Sequence, residues 1–376
     1  MINSEQFLQF LRNEGIDFFT GVPDSLLADI CACITATLPP DNHIIAANEG
    51  AAVALASGYH LATGKVPAVY LQNSGLGNAT NPLLSLADKH VYSIPILLVI
   101  GHRGEPGVKD EPQHVTQGRI QEKMLNAMEI PFATIGPEVD NYEQIVLNLL
   151  KEARNESKPV ALVIKKDTFT KFKLADANNQ PLASMIKEEV IEKLAHQLPD
   201  SAIVVSTTGK TSRELFEVRA REQAGHHRDF LTVGSMGHCS MIALGVAIQK
   251  KEREVYCFDG DGAVIMHAGS LAIAGLNAPP NFKHIVLNNG SHDSVGGQPT
   301  VGFSINIPAM AVACGYKEAR TVKTPEELEQ AVSWLQNIQG PVMLEVWVKK
   351  GSRKDLGRPT RTTLQNKQDF MKNLGV

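Results

Sequence analysis

CFDGDGAVIMHAGSLAIAGLNAPPNFKHIVLNNGSHDSVGGQ, from Cys257 to Gln298, holds two short apolar runs with a helical pattern between them. Residues 254–258 and 284–288 read as buried strands, and 264–275 reads as the helix that joins them. A strand, a helical crossover and a second strand make a unit of parallel sheet, with both strand C-termini at the same edge. Gly260-Asp261-Gly262 follows the first strand and Asn288-Asn289-Gly290 closes the second, so Asp261 and Asn288 are expected to meet at that edge although they are far apart in sequence. An Asp oxygen, an Asn oxygen and a nearby backbone carbonyl suit Mg2+, which takes oxygen ligands in an octahedron. Glycines beside Asp261 let a phosphate approach the backbone. A Mg2+–diphosphate site is one reading of the pattern; a turn-capping Asp and a turn Asn is the plainer one.

The same alternation runs along the rest of the chain. Strands are expected at 16–20, 43–46, 66–72, 94–100, 131–134 and 160–164, with helices between them, for example at 49–63 and 118–127. Residues 165–182 turn polar and lose their period, as a linker does. The pattern then resumes, with strands at 202–206, 230–233, 254–258, 284–288 and 341–348 and helices near 211–222, 238–250, 264–275 and 325–334. Repeated strand–helix–strand units predict an α/β fold of two doubly wound parallel-sheet domains, with helices on both faces of each sheet. The expected boundaries are 1–168, a linker at 169–184, and 185–376.

Of the 376 residues, 36 are Lys or Arg and 40 are Asp or Glu, a formal net charge of −4, which gives no basic excess for nucleic acid. The five cysteines are scattered and form no CxxC, so buried thiols in a reducing compartment are expected rather than a disulfide frame or structural zinc. MINSEQFLQFLRNEG reads as an amphipathic helix containing acids and not as a signal peptide, and no apolar run is long enough to span a bilayer. A cytoplasmic protein that does not engage membranes is expected.

Ligands of open parallel sheets sit at the C-terminal ends of the strands, which singles out the loops Gly21-Val22-Pro23-Asp24-Ser25, Ala47-Asn48-Glu49-Gly50, Gln72-Asn73-Ser74-Gly75-Leu76-Gly77-Asn78 and the one from Gly101 through Arg103 to Lys109. In the second block they are Thr207-Thr208-Gly209-Lys210-Thr211 and Gly234-Ser235-Met236-Gly237-His238. The GKT invites a nucleotide-binding P-loop reading, but Val204 stands where that motif needs a glycine. Backbone amides at a helix N-terminus remain a good phosphate seat.

Gly260-Asp261-Gly262, one crossover and Asn288-Asn289 resemble the metal–diphosphate signature of thiamine-diphosphate enzymes. The absence of room for a middle domain, together with GVPDSLL, QNSGLGN, GHRGEPGVKDEPQH, STTGKTSRELFE, GSMGH and NNGSHDSVGGQPT, resembles the compact phosphonopyruvate decarboxylase branch, whose relatives include the sulfopyruvate decarboxylases. The resemblance covers both blocks. It implies a pyrimidine-binding first domain, a diphosphate-binding second domain, and thiamine diphosphate with Mg2+ held by Asp261, Asn288 and the Gly290 carbonyl. It places Glu49 as the residue that shares a proton with N1′ of the aminopyrimidine, Met236 as the wedge that bends the cofactor, and Gly234 as acceptor for its 4′-amino group. Asn73, Thr208, Gly209, Thr211, Gly260, Gly262 and Ala263 complete the implied cofactor contacts. The implied reaction is non-oxidative decarboxylation of 3-phosphonopyruvate to phosphonoacetaldehyde, a step of phosphonate biosynthesis, in a homo-oligomer of at least two chains with its active site at a subunit interface.

A phosphonate needs cationic partners. Arg103 and Lys109 are the first candidates; Arg213 and the group Arg353, Lys354 and Arg358 come after them. His102, His114 and His292 are candidate donors of the proton that replaces the lost carboxyl group, and Asp24, Ser25 and Asp293 lie in rim loops where they could orient the substrate. The paired-histidine loop of pyruvate decarboxylases is replaced here by His102-Arg103, so proton-transfer roles are not carried over from those enzymes. Sulfopyruvate decarboxylation and thiamine-dependent carboligation stay open as alternatives.

Overall fold

The computed structural model describes residues 1–174 and 183–376, so the middle of the expected linker lies outside the described residues. The chain divides into two compact units, Met1–Ala177 and Asn178–Val376.

The first unit holds β1 (Phe19–Gly21), β2 (His43–Ile45), β3 (Ala68–Gln72), β4 (Leu97–Gly101), β5 (Phe132–Ile135) and β6 (Val160–Ile164), all parallel, in the spatial order β2-β1-β3-β4-β6-β5. The second holds β7 (Ile203–Ser206), β8 (Asp229–Leu231), β9 (Val255–Gly260), β10 (Phe282–Asn288), β11 (Glu318–Val322) and β12 (Val342–Trp347), also parallel, in the order β8-β7-β9-β10-β12-β11. Counted within each unit the two orders are the same. Strand order reverses between β1 and β3, and again between β7 and β9, and a crevice for ligands opens at such a switch point.

Why these segments form central strands follows from their composition. Val160–Ile164 is apolar and buried at every position, because helices cover both faces of a parallel sheet. Side chains alternate between the faces: Leu97 and Val99 of β4 join a core with Phe7, Phe19 and Leu150, while Leu98 and Ile100 join another with Val53, Leu71 and Leu125. The second unit repeats this. Tyr256 and Phe258 face one core, Val255 and Cys257 the other. Each fully buried Leu, Ile or Phe stabilises by roughly 1.5–3 kcal/mol before entropy is counted.

Eleven strands lie where the residue pattern puts them, within a few residues. The twelfth, β11, has no apolar alternation: Glu318, Ala319, Arg320 and Thr321 are partly or fully exposed and only Val322 is buried, as suits the sheet edge it occupies. The helix expected at 264–275 is two helices, Asp261–Met266 and Gly269–Asn277, so Asp261 opens a helix. Phe169 packs in the core of the first unit and pairs with Ile2; Met185 pairs with Val348 in the second. Four cysteines are buried, Cys314 is half-buried, and none is disulfide-bonded. Among the described residues no helix is long and apolar enough to cross a membrane.

Candidate active site

In the second unit, β9 and β10 are neighbours with Leu287 opposite Gly260, which brings Asp261 and Asn288 to one corner of the sheet edge. Both are buried. Asn288 donates from Nδ2 to the Gly302 carbonyl at 2.8 Å and to Glu345 Oε1 at 2.7 Å, which fixes the amide and leaves Oδ1 as an acceptor. A Cβ placed on Gly302 would lie 2.5 Å from Asp261 Oδ2 and 2.6 Å from Asn288 Oδ1. The two oxygens therefore face one small space that only a glycine leaves open. Burial pushes the Asp261 carboxyl up to about 6, against hydrogen bonds from Thr300 and the Asn289 amide. A buried carboxylate beside a second hard oxygen is a fitting seat for a small divalent cation such as Mg2+, which would offset the cost of burial. Gly290, at φ 61, donates its amide to Asn288 Oδ1 at 3.1 Å and accepts from the Thr300 amide at 2.9 Å. Its carbonyl retains a second lone pair for a ligand.

Across the switch point, the turn after β7 leads through Gly209, at φ 96 and with no side-chain cap, into the helix Lys210–Arg221. The amides of that first turn have no acceptor within the helix, which suits an anion. Thr208 Oγ1 accepts from the Gly234 amide at 2.9 Å, tying this turn to the Gly234–Gly237 loop, where Gly234, Ser235 and Gly237 all have positive φ. Met236 and His292 both lie over Gly262: a Cβ there would meet Met236 Cε at 3.3 Å and His292 Cε1 at 3.4 Å. Burial pushes His292 down to about 4, so its ring is neutral at pH 7. Ala263 is buried. Asp293 Oδ2 accepts from the Gly351 amide at 3.1 Å and lies 3.3 Å from Lys210 Nζ.

In the first unit, Glu49 opens the helix Glu49–Thr63, capped by Asn48, whose side chain accepts from the Ala51 amide. The glutamate is buried. Asn78 Nδ2 donates to Glu49 Oε2 at 2.7 Å, and a Cβ on Gly75 would overlap Glu49 Oε1. Asn73, just after β3, donates to the Arg103 carbonyl at 2.7 Å while its buried Oδ1 has no partner among the described residues. His102 Nε2 faces the Gly118 carbonyl at 3.2 Å and its Nδ1 has no partner among the described residues.

Asp24 is fully buried against Gly101. Burial pushes its carboxyl up to about 6, with Arg103 pulling the other way. Arg103 grips Asp110 with both Nε, at 2.8 Å, and Nη2, and gives Nη1 to Ser25 Oγ at 2.6 Å. Its fork is thus committed to Asp110 and Ser25. Lys109 is exposed. Of the later cationic candidates, Arg213 donates to the Leu356 and Gly357 carbonyls and Arg353 pairs with Glu188, Glu217 and Asp355. Sequence reasoning did not single out Asn78, Thr300, Gly302 or Glu345. Asn78 and Thr300 lie in strings that carry the resemblance, but nothing in a single sequence says which of those residues orients another.

The thiamine pyrophosphate enzyme N-terminal TPP binding domain family matches residues 1–129, and the thiamine pyrophosphate enzyme C-terminal TPP binding domain family matches residues 207–346. A phosphonopyruvate decarboxylase of Streptomyces viridochromogenes is 33% identical over 98% of this chain and 94% of its own. The chain belongs to the phosphonopyruvate decarboxylase family of thiamine-diphosphate enzymes. A phosphonopyruvate decarboxylase of Streptomyces hygroscopicus is likewise 33% identical, over 96% of this chain and 90% of its own. A sulfopyruvate decarboxylase of Methanosarcina acetivorans is 28% identical over 93% and 92%. The family match fits the two six-stranded α/β units and the lack of a middle domain between them.

Proposed function

We propose that this chain decarboxylates 3-phosphonopyruvate to phosphonoacetaldehyde and CO2 with thiamine diphosphate and Mg2+, as a step of phosphonate biosynthesis. What carries the reading is full-length similarity to two phosphonopyruvate decarboxylases, in a chain whose Asp261 and Asn288 oxygens share one corner. When bound, thiamine diphosphate supplies the nucleophile and the electron sink that loss of CO2 from a 2-oxo acid requires.

The chain's own residues do the rest. Asp261, Asn288 and the Gly290 carbonyl would hold the metal. The amides of the turn from Thr208 to Thr211 receive the diphosphate. Met236 would support the thiamine diphosphate, and the Gly234 carbonyl would be available to accept from its amino group. Glu49, oriented by Asn78, holds a proton at the pyrimidine N1′, a general acid–base role that depends on fixed geometry. His102 and His292 are the candidate proton donors that follow CO2 loss, and His292, which burial keeps neutral, would first have to take up a proton. We infer a homo-oligomer of at least two chains that share the cofactor, a reading supported by relatives named as separate alpha and beta subunits of sulfopyruvate decarboxylase. A cytoplasmic setting suits the five unpaired cysteines.

The similarity to a full-length sulfopyruvate decarboxylase supports a second substrate reading on the same chemistry. An assay of CO2 release from phosphonopyruvate, sulfopyruvate and pyruvate, with and without thiamine diphosphate and Mg2+, decides. Preference for phosphonopyruvate is expected; turnover of sulfopyruvate alone would overturn the substrate and leave the reaction class standing.

A further inference from the structure

Three donors in the second unit converge on one carboxylate oxygen. Asp293 Oδ2 accepts from the Gly351 amide at 3.1 Å and lies 3.3 Å from Lys210 Nζ and 4.0 Å from Lys187 Nζ. The groups come from separate segments: Lys187 opens the helix Lys187–Gln197, Lys210 opens the helix Lys210–Arg221, Gly351 follows β12, and Asp293 lies in the loop after β10. Lys187 is only 5% exposed, and a lysine buried so deeply needs anions beside it. Its other anion is Glu214, whose Oε2 lies 3.4 Å away. Burial pushes the Glu214 carboxyl up to about 7, with Lys187 opposing and Glu188 and Asp293 adding to the rise. Near neutral pH Glu214 is therefore the weaker counter-ion. Without Asp293, Lys187 would be left with the half-protonated Glu214 carboxylate, and Lys210 would lose the carboxylate 3.3 Å from its Nζ.

The loop that delivers Asp293 is held by polar contacts that another anion could replace. Lys350 Nζ donates to the Gly297 carbonyl at 2.6 Å, and Gly296 and Gly297 have φ of 124 and 75, a backbone that glycine adopts freely. The loop lies along the cofactor rim. Ser294 Oγ would be 2.7 Å from a Cβ on Gly209, and His292 sits over Gly262.

We propose that Lys210, Lys187 and the Gly351 amide form a seat for the tetrahedral oxyanion of the substrate, its phosphonate or sulfonate, and that Asp293 fills this seat until that group displaces it. The proposal rests on the 2-oxo acid decarboxylase reading above. A built-in carboxylate holds both lysines aligned, so the arriving oxyanion meets a preorganised site. It also discriminates: pyruvate carries no second anionic group and has nothing with which to displace Asp293.

The test titrates the full-length protein with inorganic phosphate, methylphosphonate and methanesulfonate by calorimetry, none of which requires turnover. Asp293→Asn should bind at least one of the three tenfold or more tighter than wild type, and Asp293→Asn/Lys210→Met should lose that gain. Equal affinity in wild type and Asp293→Asn, or a gain that survives loss of Lys210, overturns the seat. Circular dichroism melts of each variant establish that it is folded. Lys187→Met serves as a second probe of the same gain should Lys210→Met not fold. In the decarboxylation assay Lys210→Met should raise KM for phosphonopyruvate at least tenfold more than it lowers kcat; an unchanged KM overturns the seat while leaving the decarboxylase reading intact. Absence of turnover on every 2-oxo acid defeats the decarboxylase reading, and the anion titration still judges the seat.

Discussion

Asp261 Oδ2 and Asn288 Oδ1 face the same small space, one that a methyl group on Gly302 would fill. Asp261 opens a helix after β9 and Asn288 ends β10, and Asn288 is held by two bonds from its own Nδ2.

Gly302→Ala is the most direct probe of that space. Gly302 is not among the glycines with positive φ, so its backbone would accept alanine. The obstacle is the methyl, which would sit where a shared cation belongs. The variant should remain folded, lose at least tenfold in affinity for thiamine diphosphate in the presence of Mg2+, and lose the thermal stabilisation that the pair gives wild type. Wild-type stabilisation in this variant would show that Asp261 and Asn288 do not share a cation there. Asp261→Ala should behave in the same way through loss of a ligand rather than loss of room.

Glu49→Gln should lower kcat by at least about 100-fold, within the range general acid–base catalysis contributes, while leaving cofactor affinity within a few-fold. Asn78→Ala should cost less, because it removes only the 2.7 Å bond that orients the carboxylate. Gly75→Ala should resemble Glu49→Gln, since its methyl would displace Glu49 Oε1. Steady-state rates with fluorescence titration of the cofactor separate the two effects. Near-normal turnover in Glu49→Gln removes that residue from the chemistry.

Much of this was legible in the chain. Buried parallel strands such as β6 are apolar throughout, and both the crossover and the strand-end position of Asp261 and Asn288 follow from that pattern. Edge strand β11 was not legible, because Glu318–Thr321 are half-buried or exposed and carry no hydrophobic period. Nor were side-chain partnerships. Arg103 stood out as a cation in a rim loop, and only the coordinates show its fork closed on Asp110 and Ser25. Gly302 has no signature as a residue type; its meaning is the space it leaves beside Asp261.

Asp24 supplies a pH prediction. Its folded-state carboxyl is raised from 3.8 to about 6 by burial, and Oδ1 has no hydrogen-bond partner among the described residues. Between roughly pH 4 and 6 the folded state keeps a proton that the unfolded chain has lost. This group's contribution is thus fully present at low pH and is lost as pH rises through 6. Asp24→Asn has no such dependence. Its stability relative to wild type should rise from pH 4 to pH 7.5 by up to about 3 kcal/mol, the free-energy equivalent of the shift. Urea unfolding of the first unit at pH 4, 5.5 and 7.5 measures this, and a pH-independent difference between the two proteins would count against it.

Each unit closes both faces of its own six-stranded sheet with its own pair of apolar cores, so neither needs the other to bury its strands. Residues 1–174 and 183–376, produced as two chains, should therefore each fold, with a cooperative thermal transition and α/β circular dichroism. Neither alone should decarboxylate, because Glu49 lies on one piece and Asp261 and Asn288 on the other. Mixed or co-expressed, they should recover thiamine-dependent turnover, and Glu49→Gln in the first piece should abolish it again. Loss of folding in either piece by itself would mean that its cores depend on the rest of the chain, which is the outcome that would defeat the prediction.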